Sequence, residues 1–244
     1  ALSELIKFLD YKKLELPKTN IDIQSVENAA KIILKAKKPV IWAGGGVHLS
    51  AASNKLLELA EYLQIPVLTT PEGKGSISDK HYLSIGTPQG RSTGNSKDDL
   101  RDFLYTCDVI LAVGTRFANA NPNPSQQVLQ IDIDPQEIGR NHKNTLGILG
   151  DASQALSEFL KIIKKTTKPK KNQKKIFEKM RVNRYEKSSN QVEPLASYVK
   201  ALREGMPNDG ILVTDMTTIA YYSRTHFQTY NPRSYFTSSY SGNL

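Results

Sequence analysis

The chain has 244 residues, 39% of them hydrophobic and 23% charged, proportions that let a sizeable core form and exclude wholesale disorder. At roughly 100 to 200 residues per domain, this length suits one large domain or two small ones. No window approaches the about 18 uninterrupted apolar residues of a membrane-spanning helix, and no basic region followed by an apolar core opens the chain. The single cysteine, Cys107, excludes a disulfide framework and a cysteine-based zinc site and favours a reducing compartment, so a cytoplasmic setting is expected.

The net charge of +9 is concentrated in one place: residues 161–187 hold twelve Lys or Arg against Glu178 and Glu186, leaving the remainder near neutral. Only Phe177 and Tyr185 interrupt this run as aromatics, and no groove-reading motif accompanies it. It reads as a solvated linker and helix face in preference to a phosphate-tracking surface, so no nucleic-acid partner is expected.

Residues 1–20 form a lead-in segment. Val26, Ala29, Ala30, Ile33 and Leu34 then recur at helical spacing, and residues 39–43, PVIWA, predict a short buried strand that stops at Gly44-Gly45-Gly46. Residues 51–63 predict a second amphipathic helix and residues 65–70 a strand, which completes a βαβ unit. Further apolar strands are predicted at 108–114, 127–133 and 146–149, followed by a closing helix at 152–163. Short, mostly unalternating strands separated by helices imply a parallel sheet covered on both faces. The expected fold is therefore α/β, a doubly wound, Rossmann-like sheet of the six-stranded type over residues 21–165.

Residues 164–171 are too charged to pack and are broken by Pro169, so residues 166–190 are expected to form a basic linker with a solvated helix at 176–190. A helix over 194–206, a strand over 211–214 ending at Asp215, and a helix opened by Met216-Thr217-Thr218 begin a second α/β unit, residues 191–244. Two strands cannot cover both faces of a parallel sheet, so this unit is expected to be incomplete and the chain to be a fragment of a longer protein.

Several residues carry potential chemistry. Gly44-Gly45-Gly46 lies between a predicted strand and a helix, where open α/β sheets hold phosphates against backbone N–H groups; lacking GxGxxG spacing, a simple tight turn is the alternative. Arg116, after Gly114-Thr115, can pair with a phosphate or cap the sheet edge. Asp132 and Asp134 can accept from ribose hydroxyls, although Asp134-Pro135 reads more readily as the N-cap and first residue of a helix. Thr217 and Thr218 can bind a diphosphate or serve as helix caps. His48, His81, His142 and His226 are isolated and expected at the surface, and Cys107 is expected as a small buried residue.

The segments KKPVIWAGGG (37–46), IPVLTT (65–70) with Gly73-Lys74-Gly75, AVGTRF (112–117), QIDIDPQEIGRN (130–141) and Gly150-Asp151-Ala152 resemble, in this order, the central domain of thiamine-diphosphate-dependent enzymes of the acetolactate synthase and benzoylformate decarboxylase type. VTDMTT (213–218) and SYSGNL (239–244) look like the opening of that family's diphosphate-binding domain. The resemblance implies a thiamine-diphosphate- and Mg²⁺-dependent enzyme acting on a 2-oxo acid, most like acetolactate synthase with pyruvate as substrate. Another 2-oxo acid decarboxylase, or a non-catalytic nucleotide-binding module, is the alternative.

Carried over by position, the resemblance puts Thr217 and Thr218 near the cofactor diphosphate and the Gly242 carbonyl at the aminopyrimidine amino group. Leu244 becomes the apolar wedge beneath the bent cofactor. A central-domain pocket for FAD or an ADP-like ligand would draw on Gly45, Gly46, Thr69, Thr70, Gly114, Arg116 and Asp134. Residues 85–91, IGTPQGR, in place of a segment with Met-His-Gly, and Ala118 in place of an aspartate, count against FAD. The family's cofactor-activating glutamate and its Mg²⁺-binding motif fall outside these residues, so no catalytic or metal-ligating residue is expected here and the fragment alone is expected to be inactive. The family's active site lies between subunits, which implies a homodimer or tetramer, without nucleic acid or membrane as partner.

Overall fold

A computed structural model describes residues 20–88, 99–118, 120–190 and 193–238, with the backbone alone at 99 and 183–190. Helix α1 (Ile23–Lys35) is started by Asp22, whose carboxylate accepts the N–H groups of Gln24 and Ser25, and it buries Val26, Ala29, Ala30 and Ile33. Strand β1 (Pro39–Ala43) follows. The predicted helix at 51–63 is α3 (Ser53–Leu63); a short helix α2 (Gly46–Leu49), which was not predicted, precedes it, with Ala51 between them in the left-handed region at φ 52°. Strand β2 (Val67–Thr69) runs into a 3₁₀ turn (Pro71–Gly73).

Strand β3 (Ser84–Gly86) and helix α4 (Asp99–Thr106) were not anticipated. Three residues of strand offer too short an alternation to be read. β4 (Val109–Val113), β5 (Gln127–Asp132), β6 (Thr145–Leu149) and α5 (Ala152–Thr166) match the expected elements.

The six strands form one sheet in the order β3-β2-β1-β4-β5-β6, every neighbouring pair parallel. This is the expected doubly wound, Rossmann-like arrangement. All five residues of β4 are buried, as two covered faces require. The Asp108 carboxylate ties the start of β4 to the start of β1 by accepting the N–H groups of Lys37 and Lys38 at 2.6 and 2.9 Å.

Of residues 164–171, expected to be too charged to pack, 164–166 end α5 and the rest, within segment 167–173, is stapled to the end of α3. Tyr62 donates its hydroxyl to the Thr167 carbonyl at 2.8 Å, Lys170 donates its N–H to the Tyr62 carbonyl at 2.9 Å, and Gln173 donates its N–H to Gln64 Oε1 at 3.0 Å. Helix α6 (Lys174–Asn190) then lays Phe177 and Met180 on the main core. The backbone makes these bonds, so the lysines can stay in water.

A second, smaller core gathers Ala196, Val199, Tyr222, Phe227 and Tyr235. It lies among α7 (Leu195–Gly205), β7 (Leu212–Thr214), α8 (Thr218–His226) and β8 (Tyr235–Thr237), with β7 and β8 paired in parallel. On this two-stranded sheet Val213 and Phe236 sit opposite each other, 73% and 47% exposed.

Phe177→Ala should lower the unfolding free energy by about 3 kcal/mol, as for other buried phenylalanines, read from urea denaturation. An unchanged midpoint would mean that α6 does not dock.

Candidate functional site

The parallel register brings the candidate residues to one edge of the sheet. Ala43 lies opposite Thr69 on one side and Val113 on the other, and Val113 lies opposite Ile131. Gly44, Thr70, Gly114 and Asp132 therefore form the next row, at the carboxyl ends of the strands. The ladder continues through that row: Gly44 N–H reaches the Val113 carbonyl, Thr70 N–H the Ala43 carbonyl and Gly114 N–H the Ile131 carbonyl, each at 2.9 Å. β1 and β4 flank the point where strand order reverses, the place where open α/β sheets leave a crevice for ligands.

Glycine is required here by proximity. Gly114 has φ +58°, and a Cβ on it would stand 2.6 Å from Gly46 Cα; one on Gly44 would stand 2.4 Å from the Gly114 carbonyl oxygen, and one on Gly73 would stand 2.2 Å from the Ala43 carbonyl oxygen. Gly46 donates its N–H to the Gly114 carbonyl at 2.9 Å. The triplet is thus a backbone-to-backbone contact between two loops, and the Gly46 N–H is committed inside it. Gly45 is partly exposed beside Glu72.

Thr69 is buried and shares a hydroxyl hydrogen bond with Thr87 at 2.7 Å. Thr70 caps the 3₁₀ turn, its hydroxyl accepting Gly73 N–H at 3.0 Å. Arg116 is exposed, and its carbonyl accepts from Asn141 Nδ2 at 2.8 Å. The next residue, Phe117, sits at φ 57° and packs edge-on against Trp42 with ring centroids 5.9 Å apart. This inward turn of Phe117 leaves the neighbouring Arg116 on the outside.

Beyond β5 the chain makes turns, and Pro135 opens no α-helix. The Asp134 N-cap reading is corrected accordingly: Asp132 Oδ1 accepts Asp134 N–H at 3.0 Å, and Asp134 Oδ1 accepts Gln136 N–H at 2.9 Å. Two aspartates in succession use their side chains to hold turns, which competes with helix formation. Burial raises the Asp132 carboxyl above the usual carboxylate range; the N–H groups of Asp134 and Ile133 oppose the rise, and the charges of Asp134 and Glu137 add to it.

Gln130 was not singled out from the sequence. It is buried in β5, donating to the carbonyls of Thr115 at 3.2 Å and Glu137 at 3.1 Å and accepting Gly139 N–H at 3.0 Å. It ties the loop after β4 to the loop after β5. The available signal was a polar amide inside the apolar run VLQID, because a buried amide must find partners.

A second candidate region lies at the start of α8. Thr217 is its N-cap, with Oγ1 accepting Ala220 N–H at 3.2 Å, and Thr218 is exposed as the first helical residue. The Asp215 carboxylate accepts Met216 N–H at 2.8 Å. Here at the carboxyl end of β7 the first turn of the helix presents N–H groups without intrahelical partners, which suits a phosphate. Gly242 and Leu244 lie outside the described residues, as do Gln89, Gly90 and Arg91.

The histidines and the cysteine are accounted for individually. His48 Nε2 meets the Lys74 carbonyl at 2.9 Å, His81 meets Glu61 at 3.1 Å and His142 meets the Gln126 carbonyl at 2.8 Å. Burial lowers the His48 imidazole below its ordinary value. His226, expected at the surface, is buried and stacked on Tyr222 at 4.0 Å. Cys107 is buried, and its thiol is pushed up to about 12 by burial, so it is inert as a nucleophile. Among the described residues, no group of three or more His, Cys, Asp or Glu could hold a metal ion, and none of their helices is long and apolar enough to cross a membrane.

The fold is a doubly wound, all-parallel α/β sheet with a crevice at its carboxyl edge. The chain belongs to the thiamine pyrophosphate enzyme family, whose central domain matches residues 26–159. It is 33% identical to a probable acetolactate synthase large subunit of Methanocaldococcus jannaschii over 93% of the chain and 40% of that protein. It is 33% identical to another of Methanococcus aeolicus over 91% of the chain and 40% of that protein, and 29% identical to the acetolactate synthase large subunit of Buchnera aphidicola subsp. Schizaphis graminum over 90% and 39%. The chain thus spans about two fifths of the length of these relatives.

Two outcomes are expected from this geometry. Gly114→Ala should cost at least ~2 kcal/mol of unfolding free energy, from the left-handed backbone and the clash with Gly46 together, measured by chemical denaturation. Asp132, with its folded value raised, costs stability while ionised, and that cost fades as pH falls through the folded value and is gone below the unfolded one. Asp132→Asn should therefore raise the thermal midpoint at neutral pH and lose that advantage in acid; an advantage that persists in acid would refute the assignment.

Proposed function

We propose that these residues are the central domain, 21–165, a basic connecting segment, 166–190, and the opening of the diphosphate-binding domain, 191–244, of an acetolactate synthase-like enzyme that acts on a 2-oxo acid such as pyruvate. One observation carries the reading: similarity to the named acetolactate synthases spans about nine tenths of the chain and so extends past the central domain into β7 and α8. A free-standing nucleotide-binding module would have no use for those elements.

In this reading the N–H groups of the first turn of α8, with Thr217 and Thr218, hold the diphosphate of thiamine diphosphate, whose charge the helix N-terminus favours. Gly242 and Leu244 keep the roles the family resemblance implies, the carbonyl toward the aminopyrimidine and the wedge beneath the cofactor. Thiamine diphosphate, bound with Mg²⁺, supplies the carbon nucleophile for decarboxylation and carbon–carbon bond formation. The protein's part here is to hold the diphosphate still so that the reacting end is presented in one orientation.

At the carboxyl edge of the large sheet, we assign an ADP-like ligand, or FAD, to Gly45, Gly46, Thr69, Thr70, Gly114, Arg116 and Asp134. The exposed Arg116 guanidinium is suited to the phosphates and Asp134 to the ribose hydroxyls. Thr69 and Gly46 contribute by shaping the edge, since their polar groups are used within the protein. The assembled enzyme is proposed to be a cytoplasmic homodimer or tetramer.

The full-length polypeptide, given pyruvate, thiamine diphosphate and Mg²⁺, should form acetolactate, detected as acetoin after acid treatment. Release of CO₂ without acetolactate would favour a simple 2-oxo acid decarboxylase, and neither product would overturn the reading. Arg116→Ala should weaken ADP binding about tenfold or more, the worth of one charge-assisted hydrogen bond, as measured by calorimetry.

A further inference from the structure

Loop 74–80, between the 3₁₀ turn and β3, is gripped from three directions. Asp79 Oδ1 accepts the Ser84 hydroxyl at 2.8 Å, and Oδ2 accepts Thr229 N–H at 2.8 Å, while Asp79 N–H donates back to the Thr229 carbonyl at 2.8 Å. The Lys74 ammonium lies 3.6 Å from Asp79 Oδ2, with the two side chains only 3% and 14% exposed. A charge buried that deeply requires its counter-charge, because removing one partner strands the other in a poorly solvated place. Arg181 of α6 donates to the Asp79 carbonyl. Around this knot, Lys80 donates to Asn208 at 3.1 Å and lies 4.0 Å over the Tyr230 ring, and a Cβ on Gly75 would stand 2.4 Å from the Asn231 carbonyl oxygen.

Thr229 follows the last residue of α8, His226, by three positions, and it is fully buried. The Ser223 hydroxyl meets the Tyr235 hydroxyl at 3.0 Å, and Arg224 Nε donates to Thr237 at 3.2 Å, so α8 and β8 move together. The smaller unit is therefore docked by a reciprocal pair of hydrogen bonds between Asp79 and Thr229, one of them through the Asp79 carboxylate, and by a buried ion pair, and is more than tethered through segment 167–173.

We propose that Asp79 is a positioning residue: with Lys74 it latches the smaller unit to the central domain and thereby fixes where the N-terminus of α8 presents its phosphate-binding groups. The latch is a statement about packing. Its consequence for the cofactor rests on the proposed function.

The test uses the full-length polypeptide with Asp79→Asn, Lys74→Met and the double variant, followed by hydrogen exchange and by kinetics in thiamine diphosphate. Asp79→Asn should speed exchange at the Thr229 amide about tenfold or more, through local opening of the junction. It should raise KM for thiamine diphosphate while kcat at saturating cofactor stays within about twofold, the split expected when only binding geometry is loosened. The double variant should recover much of both losses, because neither charge is then left alone.

Unchanged Thr229 exchange in Asp79→Asn overturns the latch. A fall in kcat in proportion to lost folded protein, without a KM effect, or no recovery in the double variant, overturns the positioning role. Should the unaltered polypeptide show no dependence on thiamine diphosphate, the functional reading fails and the cofactor consequence with it, while Thr229 exchange decides the latch independently.

Discussion

The arrangement of the site depends on a contact with no side chains in it, the meeting of Gly44 and Gly46 with Gly114 across the two central strands. The order β3-β2-β1-β4-β5-β6 makes β1 and β4 neighbours although more than sixty residues of chain separate them, and their following loops leave from the same edge. A side chain on either loop would hold the two apart. With glycines the loops touch, Gly46 N–H closes on the Gly114 carbonyl at 2.9 Å, and the left-handed turn at Phe117 packs its ring on Trp42. Arg116 faces solvent as a result of that turn.

Polar groups then stabilise what the glycines permit. The Gln130 amide bonds carbonyls of two successive loops and one N–H of the second. It is well satisfied and offsets its own burial. Asp132 is different: it holds a turn through Asp134 N–H but remains an acid displaced from its preferred ionisation by burial and by neighbouring carboxylates. Asp132 lies at the carboxyl edge of the sheet, in the row with Gly44, Thr70 and Gly114, the part of the edge proposed above to serve a ligand.

Legibility followed the length and regularity of the signal. The buried runs PVIWA and VILAV, with the helical spacing of residues 26–34, were enough for a parallel doubly wound sheet. β3 and β8, three residues each, were not readable because they are strands by virtue of their neighbours. The glycine triplet was legible as a special position, but its partner was not, since the Gly114 contact is set by strand order. Asp134-Pro135 carried a genuine helix-start signal that lost to the turn Asp132 makes immediately before it. Thr217 was read with two roles, and the capping role is visible in the structure. His226 was misjudged because its burial comes from stacking on Tyr222, one helical turn back on α8.

The basic run illustrates the same division between local and distant causes. Its lysines form exposed pairs, such as Lys164 with Glu58 at 2.5 Å and Lys161 with Glu158 at 2.6 Å, and exposed pairs of this kind stabilise little. What holds the segment is its backbone bonding to Tyr62 and Gln64 and the apolar anchors Phe177 and Met180. From there α6 carries Arg181 to the Asp79 carbonyl. Loop 70–80 begins at the crevice, with Thr70 on the Ala43 carbonyl and Gly73 pressed against it, and ends at the junction, with Lys74 and Asp79 against Thr229. The crevice of the large sheet and the docking of the smaller unit therefore share one loop.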